Sequence, residues 1–112
     1  DVVRSANQAG RSKAAVGVPA GDVDSATRKV IEDHGFGDFF THRTGHGLGL
    51  EIHEEPYIKP ENDFVLQKGM TFTIEPGIYI PGLGGIRIED DVCLKTSGLV
   101  SLTSLPRELI IV

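Results

Sequence analysis

Thr41-His42-Arg43-Thr44-Gly45-His46-Gly47-Leu48-Gly49-Leu50-Glu51-Ile52-His53-Glu54-Glu55-Pro56 is the stretch from which the rest of the chain can be read. It carries three of the four histidines, His42, His46 and His53, within twelve positions. Glycines at 45, 47 and 49 leave room for a close-approaching group. Neutral imidazole is a borderline ligand for Zn, Mn, Fe or Co, and its second nitrogen can be aimed by a neighbour. The stretch reads as half of a metal site. A glycine-rich strand and turn with partly exposed histidines is the other possibility at this point.

Two downstream segments add acids. Thr71-Phe72-Thr73-Ile74-Glu75-Pro76 alternates, so in a strand Phe72 and Ile74 face the core while Thr71, Thr73 and Glu75 share the other face. Ile86-Arg87-Ile88-Glu89 places Arg87 and Glu89 side by side in the same way. Two carboxylates on one inner face repel unless positive charge lies between them, which a divalent cation supplies. A structural ion pair, with Arg87 neutralising one acid, remains open beside it.

His46-Gly-Leu-Gly-Leu-Glu-Ile-His53-Glu-Glu-Pro, Thr73-Ile-Glu75-Pro-Gly-Ile-Tyr79 and Gly85-Ile-Arg87-Ile-Glu89-Asp-Asp-Val92 together resemble the Xaa-Pro peptidases, prolidase and aminopeptidase P, of the pita-bread metallopeptidase family. The resemblance implies a two-metal centre in which His46, Glu75 and Glu89 are ligands, with Glu89 bridging. It implies that His53 contacts substrate and steadies the tetrahedral intermediate, that His42 lines the substrate side, and that Arg87 contacts substrate or supports the ligands. Manganese is the expected metal, with Co, Zn or Fe as alternatives, and a proline-containing peptide is the expected substrate. Glu75 would accept a proton and His53 would donate to the developing oxyanion. Methionine aminopeptidases share the first two motifs; the Arg87 block looks like the proline-directed branch. A catalytically inactive peptide- or protein-binding module of the same fold is a further alternative, against which the retained His46, His53, Glu75 and Glu89 speak.

The family centre takes two further aspartates from an upstream segment absent here. Residues 1–16 read as a helix with a weak point at Gly10, Val18 to Gly21 as a break, and Asp22 or Asp24 as the cap of a second helix ending at Gly35. Asp22 and Asp33 have the family's spacing of eleven, but eleven helical residues span roughly 16 Å, against about 4 Å between paired metals. Asp22 is therefore read as a cap, Asp33 as a solvated charge, and His34 as a helix-end residue. The resemblance thus implies that residues 1–112 are the C-terminal part of a catalytic domain, a fragment expected to lack the aspartate-bearing half and an N-terminal domain. By itself it is expected to bind one ion or none and to be inactive. Apolar surface bared on the sheet predicts self-association as a homodimer.

From residue 39 onward strands dominate, giving an α+β class: two N-terminal helices, then antiparallel strands forming half of a pita-bread fold. Residues 56–62 read as a loop, 65–70 as a turn, 81–85 as the hairpin between the acid-bearing strands, and 108–112 as a last apolar strand. His46 and His53 have opposite parity and would face opposite ways along one strand. Their convergence requires a backbone break within residues 47–52.

Hydrophobic content of 39% with 24% charged suits one globular domain. A net charge of −5 with scattered cations argues against nucleic acid, and no apolar run reaches a membrane span. The single Cys93 reads as a core thiol and suits a cytoplasmic protein. The glycine spacing does not match a dinucleotide-binding loop.

Overall fold

In the computed structural model, which describes residues 1–112, helix α1 (Val2–Lys13) and helix α2 (Ala20–Asp33) cross over an antiparallel sheet. Val3, Ala6, Asn7 and Gly10 form the buried stripe of α1, and Arg11 and Lys13 sit in its last turn, where the helix dipole favours cations. The helix runs unbroken through Gly10, contrary to the expected weak point. Gly10 is instead where the helices touch: a Cβ there would lie 2.4 Å from Thr27 Oγ1 of α2.

Helix α2 begins after Pro19 without a side-chain cap, which corrects the assignment of Asp22 or Asp24. Its free amides are satisfied from elsewhere, Ala20 N–H donating to the Phe64 carbonyl at 2.8 Å and Gly21 N–H to that of Asn62 at 2.7 Å. Asp22 is left exposed in the first turn, and Asp24 is buried. The carboxyl end closes as expected. Gly35 adopts a φ of 81°, its N–H donates to Glu32, and the Phe36 N–H reaches back to Ile31. His34 Nδ1–H donates to the Val30 carbonyl at 2.7 Å.

The strands are β1 (Gly45–Gly47), β2 (Glu54–Ile58), β3 (Thr71–Ile74), β4 (Gly77–Ile80), β5 (Gly84–Arg87), β6 (Asp90–Lys95) and β7 (Gly98–Ser101). Five form one sheet in the order β2-β1-β3-β6-β7, and β4 with β5 makes a separate ribbon. Phe72, Ile74, Val92 and Leu94 pack beneath α2 with Val23, Ile58 and Leu66. A second cluster, Val3, Ala6, Ile31, Phe40 and Ile78, joins the helices to the ribbon.

Three local expectations are corrected. Pro56 lies inside β2 rather than in a loop, tolerated because β2 is an edge strand and needs no amide there. Residues 108–112 form no strand: no neighbouring strand is in register with them, and Leu109 and Ile111 are exposed. Cys93 alternates away from the buried Val92 and Leu94 and is only partly buried. No helix is long and apolar enough to cross a membrane.

Candidate metal centre

Glu75 and Glu89 face each other across a gap in the strands. Pairing of Ile74 with Asp90 closes the β3/β6 ladder, and pairing of Gly77 with Arg87 opens the β4/β5 ladder. The register is unchanged between them, so Glu75 is opposite Glu89 and Pro76 opposite Ile88. The Glu75 N–H donates to the Thr44 carbonyl at 2.7 Å, tying this corner to the chain that enters β1.

His46, buried in β1, is held from both sides. Its backbone N–H donates to Thr73 Oγ1 at 3.1 Å. Its Nδ1 lies 2.9 Å from the Gly47 carbonyl, and since a carbonyl only accepts, Nδ1 carries the proton. Nε2 then turns a lone pair toward Glu75 Oε2 at 3.4 Å. That oxygen is buried and has no hydrogen-bond partner. Two electron-pair donors facing one another in a buried place need a proton or a cation between them.

Glu89 shows the same demand. Burial first, and then the charge of nearby Glu75, raise its carboxyl above the ordinary range, and Arg87 pulls it the other way. Arg87 Nε lies 3.8 Å from Glu89 Oε2, with both side chains about half exposed. An ion pair therefore accounts for part of Glu89 and for none of the Glu75 oxygen. The donor set of one imidazole and two carboxylates fits a divalent ion such as Mn, Zn or Co. The three do not close into an ion-enclosing group, since no three His, Cys, Asp or Glu side chains are gathered around one point.

The chain leaves its strand after Gly47 and bends irregularly to β2, so the parity break falls within residues 47–52. It brings His53 round onto His46, with ring centroids 4.5 Å apart and nearly perpendicular. His46, His53, Glu75, Arg87 and Glu89 line one open cavity of about 600 Å³ together with Asp91. Asp22 and Asp33 lie at opposite ends of α2 and take no part.

His42 is the residue the structure does not bring to this cavity. Its Nδ1–H donates to the Arg43 carbonyl and its Nε2 accepts from the Tyr79 hydroxyl, both at 2.7 Å. It is thus fixed against the β4/β5 ribbon rather than lining the space beside His46.

Two buried ionic hubs that sequence reasoning missed hold the site in place. Asp24 receives Arg28 through both oxygens at 2.9 and 3.0 Å and accepts from the Thr44 N–H and hydroxyl. Arg28 also donates to the carbonyls of Phe40 and His42. Together they clamp the approach to β1 onto α2. Asp90, next to Glu89, accepts from Asn7, Ser101, Thr103 and Arg107. Burial alone would raise its carboxyl, but the hydrogen bonds from Arg107, Thr103 and Asn7 prevail and hold it at about 2. The signal was the unusual run Glu89-Asp90-Asp91, in which the middle acid falls on the buried face.

The fold and the side chains gathered at this corner are those of a metallopeptidase-type chain. A model of metallopeptidase family M24 matches residues 1–96, and the chain belongs to that family. It is 50% identical over 111 residues to the putative dipeptidase YkvY of Bacillus subtilis, covering 99% of this chain and 31% of that protein. It is 49% identical over 109 residues to an Xaa-Pro dipeptidase of Lactobacillus delbrueckii subsp. lactis, covering 97% of this chain and 30% of that protein. A crystal structure of a dipeptidase from Pyrococcus horikoshii OT3 superposes with a TM-score of 0.96 at 54% identity, over 99% of this chain and 31% of that one. The chain thus spans about a third of the length of these relatives. Its two helices and antiparallel strands are part of the prolidase and aminopeptidase P pita-bread fold.

Proposed function

We propose that the intact protein carrying this chain is a metal-dependent peptidase that hydrolyses Xaa-Pro peptide bonds. The observation that carries the proposal is the buried, partnerless Glu75 oxygen facing the lone pair of His46, with Glu89 directly opposite in the strand register. His46, Glu75 and Glu89 would hold divalent ions, manganese first among candidates, together with donors from outside this chain. Such ions lower the pKa of water and polarise a scissile carbonyl.

The remaining steps belong to this chain's own side chains. Glu75 takes the proton of the attacking water. His53, exposed on the wall of the cavity beside His46, donates to the oxygen on which negative charge develops. Arg87, half exposed on the same cavity, receives a substrate carboxylate. An Xaa-Pro bond offers no amide hydrogen, so selection rests on ring shape and the charged end. Tyr79 and His42, bonded to one another, shape the ribbon that bounds the site, and from it His42 lines the substrate side.

The test is turnover of an Xaa-Pro dipeptide by the intact protein, before and after chelation and on adding back Mn, Co or Zn. Cleavage lost on chelation and restored by one of these metals is expected, with an Xaa-Ala dipeptide cleaved far more slowly. Turnover indifferent to exhaustive chelation would overturn the proposal. Residues 1–112 alone supply only one imidazole and two carboxylates to the centre and are expected to show no turnover.

A further inference from the structure

The loop that carries His53 has no apolar anchor. Leu50 and Ile52 are 104% and 81% exposed, so hydrophobic burial does not decide where His53 sits. Polar ties do. At the start of the loop, the Thr71 hydroxyl donates to the Leu48 carbonyl at 2.8 Å and the Leu48 N–H donates to that of Thr71. In its middle, the Glu51 N–H donates to Glu54 Oε2 at 3.1 Å.

We propose that Glu54 is the positioning residue for His53. Its carboxylate folds back over the turn and lies so close to Gly49 that a Cβ there would meet Oε1 at 2.0 Å and the carboxyl carbon at 2.6 Å. Gly49 is required by this contact, not by backbone conformation, since its φ is not in the left-handed region. The strands below are equally close, because a Cβ at Gly47 would meet the Glu55 carbonyl oxygen at 2.0 Å. The run Gly47-Leu-Gly49 is thus the space into which the Glu54-Glu55 backbone and side chain fit. With position 49 occupied by the carboxylate and the Glu51 amide bound to it, the turn is held closed toward β1, with the His53 ring 4.5 Å from that of His46. Glu54 itself does not line the cavity.

The catalytic consequence rests on the peptidase function proposed above; the placement of His53 does not. In the intact protein, Glu54→Ala removes the acceptor, Glu54→Gln keeps an acceptor oxygen, and Gly49→Ala drives a methyl group into the carboxylate's place. E54A and G49A are each expected to lower kcat by about ten- to a hundredfold with little change in KM, because the oxyanion contact exists only in the transition state. The double variant is expected to lose no more than either single one, since both remove the same contact, and E54Q to recover most of the rate. Amide hydrogen exchange at Glu51 is expected to accelerate in E54A and G49A while Phe72 and Val92 keep their protection, which separates lost placement from lost folding.

Wild-type kcat and unchanged Glu51 exchange in E54A would overturn the proposal. So would losses that multiply in the double variant, or an E54Q as poor as E54A. If the wild-type protein cleaves no Xaa-Pro peptide, the peptidase function fails, and Glu51 exchange with the His46–His53 ring-proton contact by NMR still decides the placement.

Discussion

Replacing Asp90 with Asn tests whether one buried carboxylate holds the acid-bearing corner and the carboxyl-terminal segment together. Asp90 is 2% exposed and Arg107 grips it through Nε at 2.7 Å and Nη2 at 2.9 Å. The folded carboxyl stands at about 2 against an ordinary 3.8. At roughly 1.4 kcal/mol per unit, that displacement corresponds to about 2.5 kcal/mol of stability near neutral pH. Removing one partner of a buried pair gives about 3 to 5 kcal/mol, and Arg107, being 26% exposed, recovers some of this from water. The two routes agree on a loss of about 2 to 3 kcal/mol at pH 7. Because the folded value is depressed, the contribution is complete above the unfolded value near 4 and fades as pH falls through about 2. Urea unfolding of D90N and wild type from pH 7 to pH 2 is the assay. A loss at pH 7 under about 1 kcal/mol, or a gap that stays constant down to pH 2, would refute the reasoning.

Gly10→Ala is expected to destabilise by about 1 to 3 kcal/mol in thermal melts, despite the better helix propensity of alanine, because its methyl group would overlap Thr27 Oγ1; a stabilised variant would contradict the crossing. Arg28→Ala leaves Asp24, 1% exposed, without its charge partner and is expected to cost about 3 kcal/mol, with the Phe40 to Thr44 approach losing amide protection. Glu89→Gln is expected to raise the stability of the metal-free protein while abolishing turnover. Its carboxyl stands above the ordinary range, so ionisation at neutral pH opposes folding, and the gain disappears below the ordinary carboxylate range. With the side chain 41% exposed, solvent screening keeps that gain under about 1 kcal/mol, and a destabilised E89Q would reverse the sign argued here.

The cluster of side chains on one cavity was readable in the sequence where chemistry restricts residue choice. Imidazoles and carboxylates on strand-periodic polar faces marked His46, Glu75 and Glu89, and parity alone required the break that carries His53 back. What was not readable depended on partners distant in the chain. Asp24 and Asp22 look equally suited to capping α2, but the carbonyls of Asn62 and Phe64 satisfy that helix end and free Asp24 for Arg28 and Thr44. Pro56 reads as a loop because proline breaks central ladders; only the sheet order reveals an edge. Residues 108–112 have the apolar pattern of a strand, and a strand also needs a neighbour to bond. His42 has Tyr79 as its ring partner, and nothing in its own stretch announces that residue, which arrives from the ribbon.

Residues directly opposed in an antiparallel pair share a face, with Cβ atoms about 4.5 to 5.5 Å apart, and like charges so placed destabilise the pair. Glu75 and Glu89 are set in this relation by four paired positions on one side of the gap and four on the other. The acids cannot drift apart by a register slip, because a shift of one residue would also turn either Phe72 and Ile74 of β3 or Val92 and Leu94 of β6 out of the core. The fold thus spends hydrophobic burial and the Asp90 hub on keeping two carboxylates closer than they would choose. A pair of surface acids needs no such enforcement, and this supports the proposal that the pair holds a cation.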